Sequence, residues 1–94
     1  MRTIETKMLD AIANRTDWQL DNTSVTYNAE KNTSRIRLFY NHICTYHHGR
    51  EDAPRANKTV FAKWPTATTA SRLRALGIDA RIKQGMATIN GVVL

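Results

Sequence analysis

The sequence predicts an α+β fold: one small domain over residues 1–94, an antiparallel sheet of hairpins with two helices packed on one face. Three observations carry that prediction. Short runs alternate apolar and polar residues between turn signals, the period of paired antiparallel strands. Two stretches, Thr3 to Asn14 and Thr66 to Leu76, switch to the helical period. Strands follow strands directly, so the alternation that marks a parallel βαβ sheet is missing.

In the first helix Ile4, Met8, Leu9 and Ile12 form the inward stripe, while Glu5, Lys7 and Asp10 face water. Thr3 is the expected N-cap and Asn14 the left-handed stop. Trp18 and Leu20 follow in a polar connection that pins the helix to the sheet. A strand begins at Val25-Thr26-Tyr27, and Ala29 to Thr33 turn it into the hairpin Arg35 to His48. With Asn41-His42 as the loop, Ile36, Leu38, Tyr40, Ile43, Thr45 and His47 share a mostly apolar side. The other side then carries Arg35, Arg37, Phe39, Cys44, Tyr46 and His48. Residues His48 to Asn57 read as a mixed-charge mobile loop, and Thr59 to Trp64 as a strand stopped by Pro65.

The second helix has caps at Thr66 to Thr69, Leu73 and Leu76 inward, Arg72 and Arg74 outward. Gly77 and Ile78 have the signature of a Schellman end, in which a left-handed glycine lets the chain fold back on the last turn. Trp64 is expected in the core, anchoring this helix. Ile78 to Ile82 alternates, Gln84-Gly85 turns, Met86 to Ile89 returns, and Asn90-Gly91 leads into a last stub of strand.

A chain this short buries only about 60–65% of the surface exposed when unfolded, so a shared surface is easier to build than a deep cleft, and dimerisation would add buried area. The net charge of +6 is unevenly placed. Residues 1–30 hold three cations against five carboxylates, a net of −2, and residues 31–94 hold eleven against three, a net of +8. That balance favours an anionic partner over a membrane. The single cysteine, Cys44, rules out an internal disulfide framework. Without an apolar leader at the N-terminus the expected location is intracellular, and the glycosylation sequons read as turns.

The residues Phe39-Tyr40-Asn41-His42-Ile43, then Trp64-Pro65-Thr66-Ala67-Thr68-Thr69-Ala70-Ser71-Arg72-Leu73-Arg74-Ala75-Leu76-Gly77, then Asn90-Gly91 form a recurring pattern. It resembles a family of small proteins encoded by tailed bacteriophages, with an "NHI" hairpin, a "WPT.TT.SRL.ALG" junction and a terminal "NG" turn. The resemblance covers roughly residues 18–94 and brings no catalytic residues with it. It implies a setting, the cytoplasm of an infected or lysogenic bacterium, where small basic proteins bind nucleic acid or block host and defence machinery.

The expected function is therefore a non-enzymatic, anti-CRISPR-like inhibitor of host or defence nucleic-acid machinery, acting through a basic sheet face. Its expected binding residues are Arg35, Arg37, Phe39, Tyr46 and His48, flanked by Arg50, Arg55, Lys63, Arg72 and Arg74. The partner is a host or defence protein–nucleic-acid complex. The alternative is direct binding of single-stranded or duplex nucleic acid, with rings stacking on bases and arginines on phosphates. A nuclease would need His47 or His48 as base, yet neither has a neighbouring carboxylate to orient it. A structural virion component is the remaining class. No cofactor motif is present, and His42, Cys44, His47 and His48 lack the second ligand pair that structural zinc uses.

Overall fold

The computed structural model describes residues 2–94. The α+β prediction holds, with two antiparallel sheets and three helices rather than one sheet and two helices. The chain runs α1 (Thr3–Ala13), β1 (Trp18–Leu20), β2 (Thr23–Asn28), β3 (Thr33–Leu38), β4 (Asn41–His47), β5 (Pro54–Ala56), α2 (Lys58–Lys63), α3 (Ala67–Ala75), β6 (Ala80–Lys83), β7 (Met86–Ile89) and β8 (Val92–Val93). Strands β1 to β5 make one meander in chain order, and β6 to β8 a second. The core lies on the inner side of the first sheet. There Val25, Ile36, Leu38 and Cys44 meet Met8 and Ile12 of α1, Phe61 of α2, Leu73 of α3, and Ala80, Ala87 and Ile89 of the small sheet.

The hairpin register differs from expectation. The two-residue loop is Phe39-Tyr40, flanked by the pair Leu38–Asn41, and both residues have positive φ (49° and 68°), as a type I′ turn requires. That conformation ordinarily selects Asn-Gly, and a side chain there costs ~1 kcal/mol or more. Sequence reasoning moves the loop to Asn41-His42 because Phe and Tyr are strand formers. A bulge then shifts the pairing between Ile36–Cys44 and Arg37–His42, so that Ile43 is the extra residue. Both Ile43 and Cys44 are buried as a result.

The segment Thr59 to Trp64 is helical rather than extended. Its β-branched and aromatic residues favour a strand, but Asn57 caps the first turn, its Oδ1 accepting from the Val60 N–H at 3.2 Å. The turn drives Phe61 into the core with no exposed surface, and that burial decides the conformation. Trp64, expected inside, is 48% exposed at the helix end. The stretch read as a mobile loop contains β5, an edge strand in which Pro54 is tolerated. Trp18 and Leu20 belong to the edge strand β1. Asn14 ends α1 in a right-handed conformation, the left-handed residue is Arg15, and Thr3 lies within the helix behind an N-cap at Arg2.

The second long helix behaves as read. Thr66 Oγ1 accepts from the Thr69 N–H at 3.1 Å. The N–H groups of Gly77 and Ile78 donate to the carbonyls of Arg74 and Leu73, which is the Schellman arrangement. Gln84-Gly85 and Asn90-Gly91 make the two turns of the small sheet.

Glu5 and Arg72 do not face water. They form a buried ion pair at 2.8 Å that joins α1 to α3, with the Glu5 carboxylate also accepting from Ser71 Oγ at 2.6 Å. Arg72 Nε donates to Thr23 Oγ1 of β2 at 3.1 Å. Burial pushes the Glu5 carboxyl up, but the hydrogen bonds from Ser71 and Arg72 outweigh it, and the net position is below the ordinary carboxylate value. Its contribution is thus present above the ordinary carboxylate range and is lost as pH falls through the lowered value. Urea unfolding at pH 7 should show Arg72→Ala destabilised by ~3–5 kcal/mol, with the loss for Glu5→Gln smaller at pH 3 than at pH 7. The paired replacement Glu5→Leu with Arg72→Met should recover most of the single-variant loss.

Candidate functional site

Alternation places residues of the first sheet on two faces. Tyr27, Ser34, Ile36, Cys44 and Tyr46 point inward with the core, and Ser24, Thr26, Arg35, Arg37, Thr45, His47 and Arg55 point outward. The bulge returns His42 to the outer side, opposite Arg37. The outer face is therefore built as cross-strand rows, Thr26–Arg35–Thr45–Arg55 and Ser24–Arg37–His42. Arg35 and Arg37 lie two residues apart, about 7 Å along the strand, and Arg55 two strands away, about 10 Å.

Not one of the residues in β1 to β5 is Asp or Glu. Arg37 donates to Thr26 Oγ1 at 3.3 Å, and neither Arg35 nor Arg37 meets a carboxylate among the described residues. Arg55 shares Asp52 with Arg50, at 3.3 and 3.2 Å, and all three are well exposed at the β5 edge of the sheet. The Arg50 charge beside it holds the Asp52 carboxyl below its usual value. His42 reports the field of the face. Its ring shares a hydrogen bond with Thr45 Oγ1 at 2.7 Å, and burial, then the charges of Arg35 and Arg37, push its pKa below the usual imidazole value.

Six further expected binding residues, Phe39, Tyr46, His48, Lys63, Arg72 and Arg74, lie off this face. Tyr46 points to the inner side, because the true register pairs it with Ser34. His48 lies past the end of β4, its Nε2 sharing a 2.8 Å hydrogen bond with Ser34 Oγ and its ring packed on Tyr27 and Tyr46. Burial, with Arg15 nearby, lowers its pKa. Arg72 is the buried partner of Glu5, and Arg74 donates to the Ala80 carbonyl at 2.8 Å, tying α3 to β6. Lys63 lies over the Trp64 ring, 4.9 Å from its centre, at the end of α2. Phe39 and Tyr40 stand out from the hairpin tip, 64% and 89% exposed. Sequence reasoning misses Thr45, His42 and His47 as outer-face residues because all three depend on the position of the turn.

The potential metal ligands are separated by the same alternation, with His42 and His47 outward and Cys44 and His48 inward. No group of three or more His, Cys, Asp or Glu converges among the described residues.

The family model of the Kyanoviridae Gp96 protein matches residues 1–93. The chain belongs to that phage protein family. No curated protein and no solved structure matches it. No helix among the described residues of this Gp96-family chain is long and apolar enough to cross a membrane.

Cys44 has no exposed surface, and burial pushes its thiol up to about 12. At pH 8 the native protein should therefore resist a disulfide reagent, releasing one equivalent of chromophore only when denaturant is added.

Proposed function

We propose that this phage protein is a non-enzymatic nucleic-acid-binding protein of the host cytoplasm, and that the outer face of its larger sheet holds the phosphate backbone. The observation that carries this is a sheet face of arginines, histidines and hydroxyls whose strands hold no carboxylate. Guanidinium groups bind phosphate oxygens in a bidentate fork, and the hydroxyls of Thr26 and Thr45 supply donors between them. Binding is largely release of counterions, so it must weaken as salt rises. The inhibitory reading draws on the same charges: the face would cover a protein surface that otherwise takes a phosphate backbone.

His42 adds a pH dependence. An anion on the face neutralises Arg35 and Arg37, which raises the imidazole pKa, so binding takes up a proton. Affinity should rise as pH falls below the ordinary histidine value toward the lowered one, and His42→Gln should flatten that rise.

A salt-titrated binding assay on short DNA and RNA tests the reading. For three to four phosphates on a single strand the logarithmic salt slope should be about −2 to −3. Arg35→Glu with Arg37→Glu should abolish binding while leaving the thermal midpoint near wild type, since both side chains lie on the outer face. Absence of binding at low salt would sink direct nucleic-acid recognition and leave the protein-surface target as the reading to pursue.

A further inference from the structure

Beside the Phe39–Tyr40 turn lies a cleft of about 380 Å³, bounded by the two rings and by Gln19, Asp21, Asn22 and Ser24. We infer that this cleft takes an unpaired nucleobase, so that the ligand is a single strand whose backbone continues onto the outer sheet face. The inference rests on the proposed phosphate-binding role of that face and specifies the class of nucleic acid.

Four observations converge on it. The rings are among the most exposed apolar groups of the protein, on a tip where nothing in the fold covers them. They occupy two left-handed positions where Asn-Gly would sit without strain, so folding alone does not account for them. The cleft walls carry a carboxylate and two amides, groups that accept from and donate to the edge of a base. Finally, Ser24 on its rim is the cross-strand partner of Arg37, so the cleft opens directly onto the cationic rows.

A second, more apolar cleft of about 280 Å³ also has Phe39 in its lining, with Trp64 on its wall. Phe39 thus borders two hollows, and a ring so placed can contact successive bases. A duplex keeps its bases stacked and paired, so its rings and edges do not reach the tip; a single strand presents both. The acidic Asp21 at the cleft works against a second phosphate there and in favour of base N–H groups.

The test is fluorescence anisotropy of the full chain with a mixed-sequence DNA single strand of about 12 nucleotides and with the matching duplex. Two variants are compared, Phe39→Asn with Tyr40→Gly, and Arg35→Glu with Arg37→Glu. The first introduces the preferred residues of the turn, so its thermal midpoint should equal or exceed wild type. The wild type should prefer the single strand by about ten-fold, and the ring variant should lose about ten-fold on the single strand and nothing on the duplex. Equal wild-type affinity for the two forms, or unchanged single-strand binding in the ring variant, overturns the base site. If the arginine variant still abolishes binding in that case, the phosphate face stands and only the cleft falls. Absence of wild-type binding to either form removes both.

Discussion

One buried ion pair organises the packing behind the larger sheet and its hairpin tip. Arg72 neutralises Glu5 where neither could be tolerated alone, since an isolated charge out of water costs several kcal/mol. The guanidinium does more than neutralise. Its Nε bonds Thr23, the Thr23 hydroxyl donates to Asn22 Oδ1 at 2.8 Å, and the Asn22 carbonyl accepts from the Phe39 N–H at 2.8 Å. A continuous polar chain thus runs from α1 through α3 and the start of β2 to the strained turn at the hairpin tip. Satisfied networks of this kind fix one arrangement among many apolar packings that would otherwise be nearly equivalent. Here the arrangement fixed includes the floor of the cleft beside Phe39 and Tyr40.

The bulge at Ile43 is the second constraint, and it acts on which side chains face where. Without the extra residue, strict alternation would place His42 on the same side as Cys44, in the core. With it, Ile43 and Cys44 both fill the interior and His42 emerges opposite Arg37. Asn57 then closes the region: its side-chain amide donates to the His42 carbonyl at 3.0 Å while its oxygen caps α2. One residue therefore couples the register of the larger sheet to the helix that delivers Phe61. A bulge beside a functional face is a common way to re-aim a side chain.

What the sequence made legible follows from where the physical cause resides. The Thr66 cap, the Gly77 helix end and the turns at Gln84-Gly85 and Asn90-Gly91 are each written in a residue whose own chemistry demands the conformation. The basic character of Arg35, Arg37 and Arg55 is likewise local, and the three do share a face. The turn at Phe39-Tyr40 has no such mark. It exists because the carbonyl of Asn22, distant in sequence, holds the Phe39 amide, and because the pairing on either side leaves those two residues over. One misplaced turn then reverses the faces of Tyr46 and Thr45. Arg72 is a different kind of failure: the helical period places it beside Leu73 on the inner side, but a guanidinium is assigned to water unless its partner is known. The partner, Glu5, is 67 residues away.

The distribution of strain and charge argues that the outer face and the hairpin tip form one functional unit. Among the described residues no buried side-chain nitrogen or oxygen lacks a hydrogen-bond partner. Two kinds of unfavourable term meet at the outer face and the hairpin tip. Arg35 and Arg37 repel each other and depress the His42 imidazole, with no carboxylate in the strands to offset them. Next to them, two aromatic residues hold left-handed backbone and expose their rings. Each of these terms lowers stability, and a fold selected for stability alone would replace both with an Asn-Gly turn and a balanced set of charges. The repulsion is relieved by an anion, and the exposed rings by a flat, apolar partner. The proposed ligand, a polyanion with flat, unpaired bases, meets both requirements at once, and an acidic protein surface meets only the first.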